Sequence, residues 1–225
     1  MTLSSVGRDP EELGRALVRI ERAAGAGLTD WIGSLESAFS GKTAPTVAEL
    51  GRSGVDAELL TAALLVKRAA GQINVIVHVV GILVALPKIL EPGEIVESLS
   101  LGAGNTGRAC DLETNRQIAE FTFIDWRGGP ESIRQNKLFG DVVALAAAKT
   151  TKRRVLYVNG RDIPLRFLGN RRALSSVLKD APLERRFREL YGSRFTTVGD
   201  YWATVRDRIE VVDLAAVVPA LKLSL

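Results

Sequence analysis

Asp111 and Glu120 are the residues of this 225-residue chain whose types and spacing point most directly to chemistry. Glu120 lies between Ala119 and Phe121 in a run, Gln117 to Ile124, that alternates like a half-buried strand. A carboxylate there is costly unless something pairs with it, and a divalent cation is one such partner. Asp111 lies on the far side of a turn at Thr114-Asn115. A two-residue turn at Thr114-Asn115 sets Asp111 opposite Ile118, and a four-residue turn over Thr114 to Gln117 sets it opposite Glu120. Either parity puts Asp111 on the same face as Glu120 and Thr122. A three-residue turn puts them on opposite faces. Two carboxylates on neighbouring strands suffice for Mg²⁺, with water and substrate phosphate filling the other positions. The ion then acidifies a bound water and stabilises charge on phosphorus oxygens. The competing reading has Asp111 or Glu113 capping the turn and Glu120 paired with an arginine.

Composition narrows the alternatives. One cysteine, Cys110, excludes a disulfide framework and a cysteine-rich zinc site, and one histidine, His78, excludes a multi-histidine metal centre within one chain. A catalytic metal would therefore rest on carboxylates, which favours magnesium, manganese or calcium. The formal net charge is +4, unevenly spread. Residues 152 to 210 hold 14 Lys/Arg against 7 Asp/Glu, a balance that suits a polyanionic partner such as nucleic acid. The bland alternative is arginines solvating helix faces.

Several elements must position the acid pair. Helical spacing runs over residues 9–39, broken at Gly25-Ala26-Gly27, and Ser40 to Pro45 reads as a linker. Residues 46–50 and 56–70 suggest a helix-turn-helix, a pattern common in any bundle. Ile73 to Leu86 is the most apolar run, but 14 residues fall short of the ~20 needed to span a bilayer, so it reads as a buried core helix with His78 as a satisfied core histidine. Strands are predicted over 94–101, 108–113 and 117–124, a helix over 131–149, a buried strand over 155–158, and helices over 169–180, 182–191 and 197–209. The fold class is α/β: a mixed central sheet flanked by helices, with an N-terminal helical region over 1–56 and an α/β domain with a basic helical C-terminal part over 57–225. The apolar C-terminus, 211–225, packs either on the core or on a second subunit as a homodimer.

An acid followed nine positions later by Glu120-x-Thr122 on the next strand resembles the PD-(D/E)XK nuclease superfamily, the restriction-endonuclease-like fold. The order helix, three strands, helix, strand over roughly 57–160 is similar to that family's core. The resemblance implies Asp111 and Glu120 as Mg²⁺ (or Mn²⁺) ligands, with the Phe121 carbonyl assisting and a further acid from the first helix or strand. Glu58, Glu94 and Glu97 are candidates for that acid, Glu97 being preferred because it lies within the strand, and Glu113 shares a strand face with Asp111. The family's proline is absent, Cys110 standing before Asp111. Its lysine is replaced by Thr122, which supplies no positive charge. Some members carry the basic or amide group on the following helix, and here that helix offers Arg134, Gln135 and Lys137. Gln135 to Phe139 looks like the Q-x-x-x-Y motif of the RecB-like branch, with Phe139 in place of tyrosine. Arg134, Lys137 and Asp141 share one helix face. The substitution leaves open an active nuclease with a migrated base or a fold that has lost catalysis.

The implied function is a metal-dependent nuclease acting on DNA; the alternative is a non-catalytic nucleic-acid-binding protein on the same scaffold. Gly102 to Gly107 matches G-x-G-x-x-G but leaves no room for the helix that mechanism needs, so it reads as a hairpin connection rather than a dinucleotide site. Ser-His and Cys-His nucleophilic schemes are disfavoured, because no acid lies near His78 in sequence. Met1 to Pro10 has no apolar stretch, which predicts no signal peptide, a cytoplasmic location and no membrane partner.

Overall fold

The structure is a computed structural model and describes residues 10–24, 27–39, 56–101, 110–124, 126 and 132–222. The chain divides into two compact units, Met1–Asn74 and Val75–Leu225. The sequence places a boundary at 56/57, whereas the units divide at 74/75, inside one continuous helix.

In the first unit, α1 (Pro10–Ala24) and α2 (Leu28–Phe39) are the two expected helices. Asp56 opens α3 (Ala57–Ile89) as its N-cap, accepting from the Leu59 amide at 2.8 Å and from Arg19 Nη2 at 2.7 Å. The second half of the suggested helix-turn-helix is the start of this 33-residue helix; its first half, 46–50, lies outside the described residues, as does the 102–107 glycine loop.

The expectation of a buried core helix over 73–86 is corrected. Ile82 and Ala85 are fully buried and Leu86 and Ile89 pack partly, but Ile73, Val75, Ile76, Val80, Leu83 and Val84 are exposed. A sheet face covers one stripe of a helix, and this helix is apolar on all sides. By length and composition alone α3 reaches what a membrane span requires.

The second unit is mixed α/β, a five-stranded mixed sheet flanked by helices. The strands β1 (Val96–Leu99), β2 (Leu112–Thr114), β3 (Gln117–Thr122), β4 (Arg153–Val158) and β5 (Glu210–Asp213) lie in that spatial order. β1–β2 and β2–β3 pair antiparallel; β3–β4 and β4–β5 pair parallel. The long return between β3 and β4 is α4 (Ser132–Ala147), as parallel pairing requires. Arg154 fastens its end: the guanidinium donates to the carbonyls of Leu145, Ala148 and Thr150 at 2.9–3.0 Å.

Between β4 and β5 run α5 (Asp162–Leu168), α6 (Ala181–Tyr191) and α7 (Val198–Val205), and α8 (Leu214–Val217) follows β5. Two core clusters form. One sets Ile118, Leu156 and Val158 against α4 and α5–α7; the other sets Ala119, Phe121, Val155 and Tyr157 against Ile82 and Ala85 of α3 and Leu214 of α8. Central strand β3 is buried at all six positions.

Two predicted features differ. No α-helix spans 169–180: Asn170 Oδ1 accepts from the Arg172 amide, a local turn that competes with helix, and one 3-10 turn, Leu174–Ser176, remains. The helix lies earlier, at α5, with Pro164 tolerated in its first turn. The unexpected fifth strand, β5, exists because Val155 to Val158 pair with Glu210 to Asp213. Such parallel pairing is a tertiary fact with no local signature.

The β2–β3 turn is held by Thr114. Its hydroxyl accepts from the Arg116 and Gln117 amides at 3.0 and 2.9 Å and donates to Glu94 Oε1 at 2.6 Å; Gln117 Nε2 also donates to that oxygen, at 2.8 Å. Thr114→Val keeps the shape and removes this network from a fully buried position. A loss of roughly 1–3 kcal/mol is expected by urea denaturation, the cost of unpartnered buried polar groups; a change within the error of the titration would mean that the turn is set elsewhere.

Candidate active site

The site is built by register. β2 pairs with β3 as Leu112↔Ala119 and Glu113↔Ile118. This is the four-residue alternative, Thr114 to Gln117. One further step in this register sets Asp111 across from Glu120. β2 ends there, and the Asp111 carboxylate takes over the acceptor role for the next β3 amide: Phe121 N–H donates to Asp111 Oδ2 at 3.0 Å.

Glu120 is buried on the α4 side, close enough to the Asp111 carboxyl for each to perturb the other's proton affinity. A third acid completes the group. Asp141 on α4 accepts from the Thr122 hydroxyl at 3.1 Å and lies 3.7 Å from the Lys137 ammonium one helical turn earlier. From α3, His78 Nε2 reaches to 3.7 Å from Asp111 Oδ1, its ring edge-on to Phe123.

The electrostatics follow from burying like charges together. Burial, then the charges of Asp141 and Asp111, pushes the Glu120 carboxyl up to about 10. Burial raises Asp141 as well, opposed by Lys137 and reinforced by Asp111. Burial also pushes Asp111 upward, but His78 and the Phe121 amide outweigh it and hold Asp111 below the usual carboxylate range. At neutral pH, therefore, Glu120 keeps a proton beside an ionised Asp111. Burial lifts the Cys110 thiol to about 11, which removes it as a nucleophile.

The expected residues divide into two groups. Asp111, Glu120, Thr122 and Lys137 come together. Thr122 holds Asp141 by a hydrogen bond. Phe121 joins through its amide while its ring stacks on Tyr157, centroids 4.8 Å apart. Glu97 does not join: Lys152 binds it at 2.6 Å and Glu113 at 2.8 Å. Gln135 is engaged by Arg172. Glu94 anchors the hairpin turn, and Glu58 pairs with Arg19 in the first unit at 3.2 Å.

Sequence reasoning missed two members. Asp141 was legible only as a partner of Lys137 on a helix face, and His78 as a core histidine. Both interrupt apolar segments, the signal that picked out Glu120. Among the described residues, no group of three or more His, Cys, Asp or Glu side chains is arranged to hold a metal ion. What the arrangement offers is a pair of opposed carboxyls, a third acid and two basic groups at the carboxyl end of β3.

The proton on Glu120 has a measurable consequence. The folded chain keeps it to about pH 10, whereas the group's ordinary value is 4.5. The folded state thus binds more protons between those values, and stability falls as pH rises through that window. Glu120→Gln removes this cost. In EDTA the variant is expected to gain about 1–4 kcal/mol over wild type at pH 8 and almost nothing at pH 4.5, read from urea titrations. A pH-independent difference would mean that Glu120 is ionised in the folded chain.

The chain matches no protein-family model, no curated protein and no solved structure.

Proposed function

We propose that the chain is a metal-dependent nuclease on a restriction-endonuclease-like core, hydrolysing phosphodiester bonds in DNA. The observation that carries this reading is the opposition of Asp111 and Glu120 across the β2–β3 register, where burial and like charge have made an ionised pair unfavourable. The order α3, β1–β3, α4, β4, with β3 and β4 parallel, supports it, as does the basic stretch from 152 to 210.

The residues fit a hard divalent cation, Mg²⁺ or Mn²⁺. The donors are carboxylate oxygens, and their mutual repulsion is what such a charge relieves. Asp111 and Glu120 would hold it, with the Phe121 carbonyl adding a ligand; bound there, it supplies an acidified water and charge stabilisation at phosphorus. Holding such an ion would require Glu120 to give up its proton. The Phe121 amide and His78 fix Asp111. Lys137, about half exposed, places a positive charge beside the acids that Thr122 lacks, and Asp141, itself held by Thr122, orients that ammonium. Lys137 thus takes the part of the motif lysine from the helix, orienting the attacking water or a phosphate oxygen.

A second reading, a non-catalytic nucleic-acid-binding protein on the same scaffold, is favoured by one observation: both nearby basic groups already have acidic partners, His78 on Asp111 and Lys137 on Asp141.

Supercoiled plasmid and an end-labelled single-stranded oligonucleotide separate the two. Cleavage with Mg²⁺ or Mn²⁺ and none with EDTA is expected. Asp111→Asn and Glu120→Gln should each lower the rate at least ~10³-fold, and Lys137→Ala about 10²-fold. Full activity in either acid variant removes the assignment. Salt-dependent binding without cleavage in any cation selects the second reading.

A further inference from the structure

The carboxyl ends of the parallel strands carry a second feature beside the acids. Trp126 follows β3, Asn159 and Arg161 follow β4, Asp213 ends β5, and together with Arg166 and Lys222 they line a crevice of about 470 Å³. That volume is in the range of small-ligand sites, and the crevice outside the carboxyl ends of parallel strands is where open α/β sheets bind ligands.

The crevice carries more cations than acids. Asp213 Oδ1 already accepts from the Gly160 and Ala215 amides at 3.0 and 2.9 Å, closing the β4 loop against β5. Gly160 turns that loop at φ 72°, in the left-handed region that favours glycine. Arg161, Arg166 and Lys222 have no ion pair among the described residues. Elsewhere in the unit, Arg116, Lys152, Arg153 and Arg188 sit on carboxylates and Arg154 on carbonyls. Two acids line the wall, Asp162 and the amide-bound Asp213, against the three cations, a local balance of +1.

The wall also holds an orphan. Trp126 is 8% exposed, and its indole Nε1–H, a donor only, is buried with no hydrogen-bond partner among the described residues. Buried donors are nearly always satisfied, and no described atom satisfies this one. One backbone bond ties the crevice to the acids: Asn159 N–H donates to the Thr122 carbonyl at 3.1 Å.

We propose that this crevice is an anion subsite in which Arg161, Arg166 and Lys222, with Trp126, seat a backbone phosphate of a nucleic-acid strand beside the Asp111–Glu120 pair. The assignment of the anion to nucleic acid rests on the reading under Proposed function; the subsite itself rests on the crevice.

The test is anisotropy of a fluorescein-labelled dT20 oligonucleotide with the full chain in EDTA, so that cleavage plays no part. Arg161→Ala/Arg166→Ala should weaken binding at least tenfold and flatten the slope of log K against log salt by about 1.4, two phosphate contacts on a single strand. Arg185→Ala/Arg186→Ala, an equal charge loss on the exposed face of α6, should do less. Oligonucleotide should change the intrinsic fluorescence of wild type and less so that of Trp126→Phe.

Equal losses in the two arginine pairs, or no loss at 161/166, overturn the subsite. So does a Trp126 response to inorganic phosphate but not to oligonucleotide, which would make the crevice a small-anion site. Binding through these arginines without Mg²⁺- or Mn²⁺-dependent cleavage keeps the subsite and removes the nuclease. Cleavage with an affinity indifferent to them does the reverse.

Discussion

The burial of Glu120 beside Asp111 is the constraint on which the site depends. β3 is covered on both faces, so a carboxyl within it has no water to solvate a charge. The chain meets this by keeping Glu120 protonated and Asp111 ionised, with the Phe121 amide donating to the Asp111 carboxylate. Two acids of one strand pair thereby differ widely in proton affinity, a division that arises at functional sites more often than in plain cores.

The surrounding elements hold that pair in place. Thr114 and Glu94 lock the turn, and the turn sets the register that opposes Asp111 to Glu120. Arg154 fastens the end of α4 beside β4, and α4 delivers Asp141 and Lys137 to the end of β3. Thr122, where the resembled family carries lysine, donates to Asp141 and so links strand to helix. The positive charge enters from the helix instead, through Lys137, while His78 meets Asp111 from the opposite face of the sheet.

Reading the sequence succeeded where signals are local. The alternation of 117–124, the helix after Pro130, the apolar run of 155–158 and the acid inside an apolar strand each express a preference of a few adjacent residues. It failed where the signal is a distant partner. Glu97 lies within a strand as expected, yet Lys152, more than fifty positions away, claims it. Gln135 fits a short motif, and Arg172 takes its side chain. The 73–86 run is as apolar as a core helix, but the sheet covers only its Ile82–Ala85 side.

Composition and spacing alone determined the α/β class, the dependence of any metal on oxygen donors, and the candidacy of Asp111 and Glu120. They left the turn length open, and with it the question of whether the two acids meet at all. Only the tertiary structure decided that, together with the arrival of His78 and Asp141, because register and helix docking are fixed by packing over whole faces rather than by the residues at the turn. The crevice at the ends of β4 and β5 belongs wholly to the second class: its walls come from segments up to 96 positions apart, from Trp126 to Lys222, and nothing in any one of them announces the others.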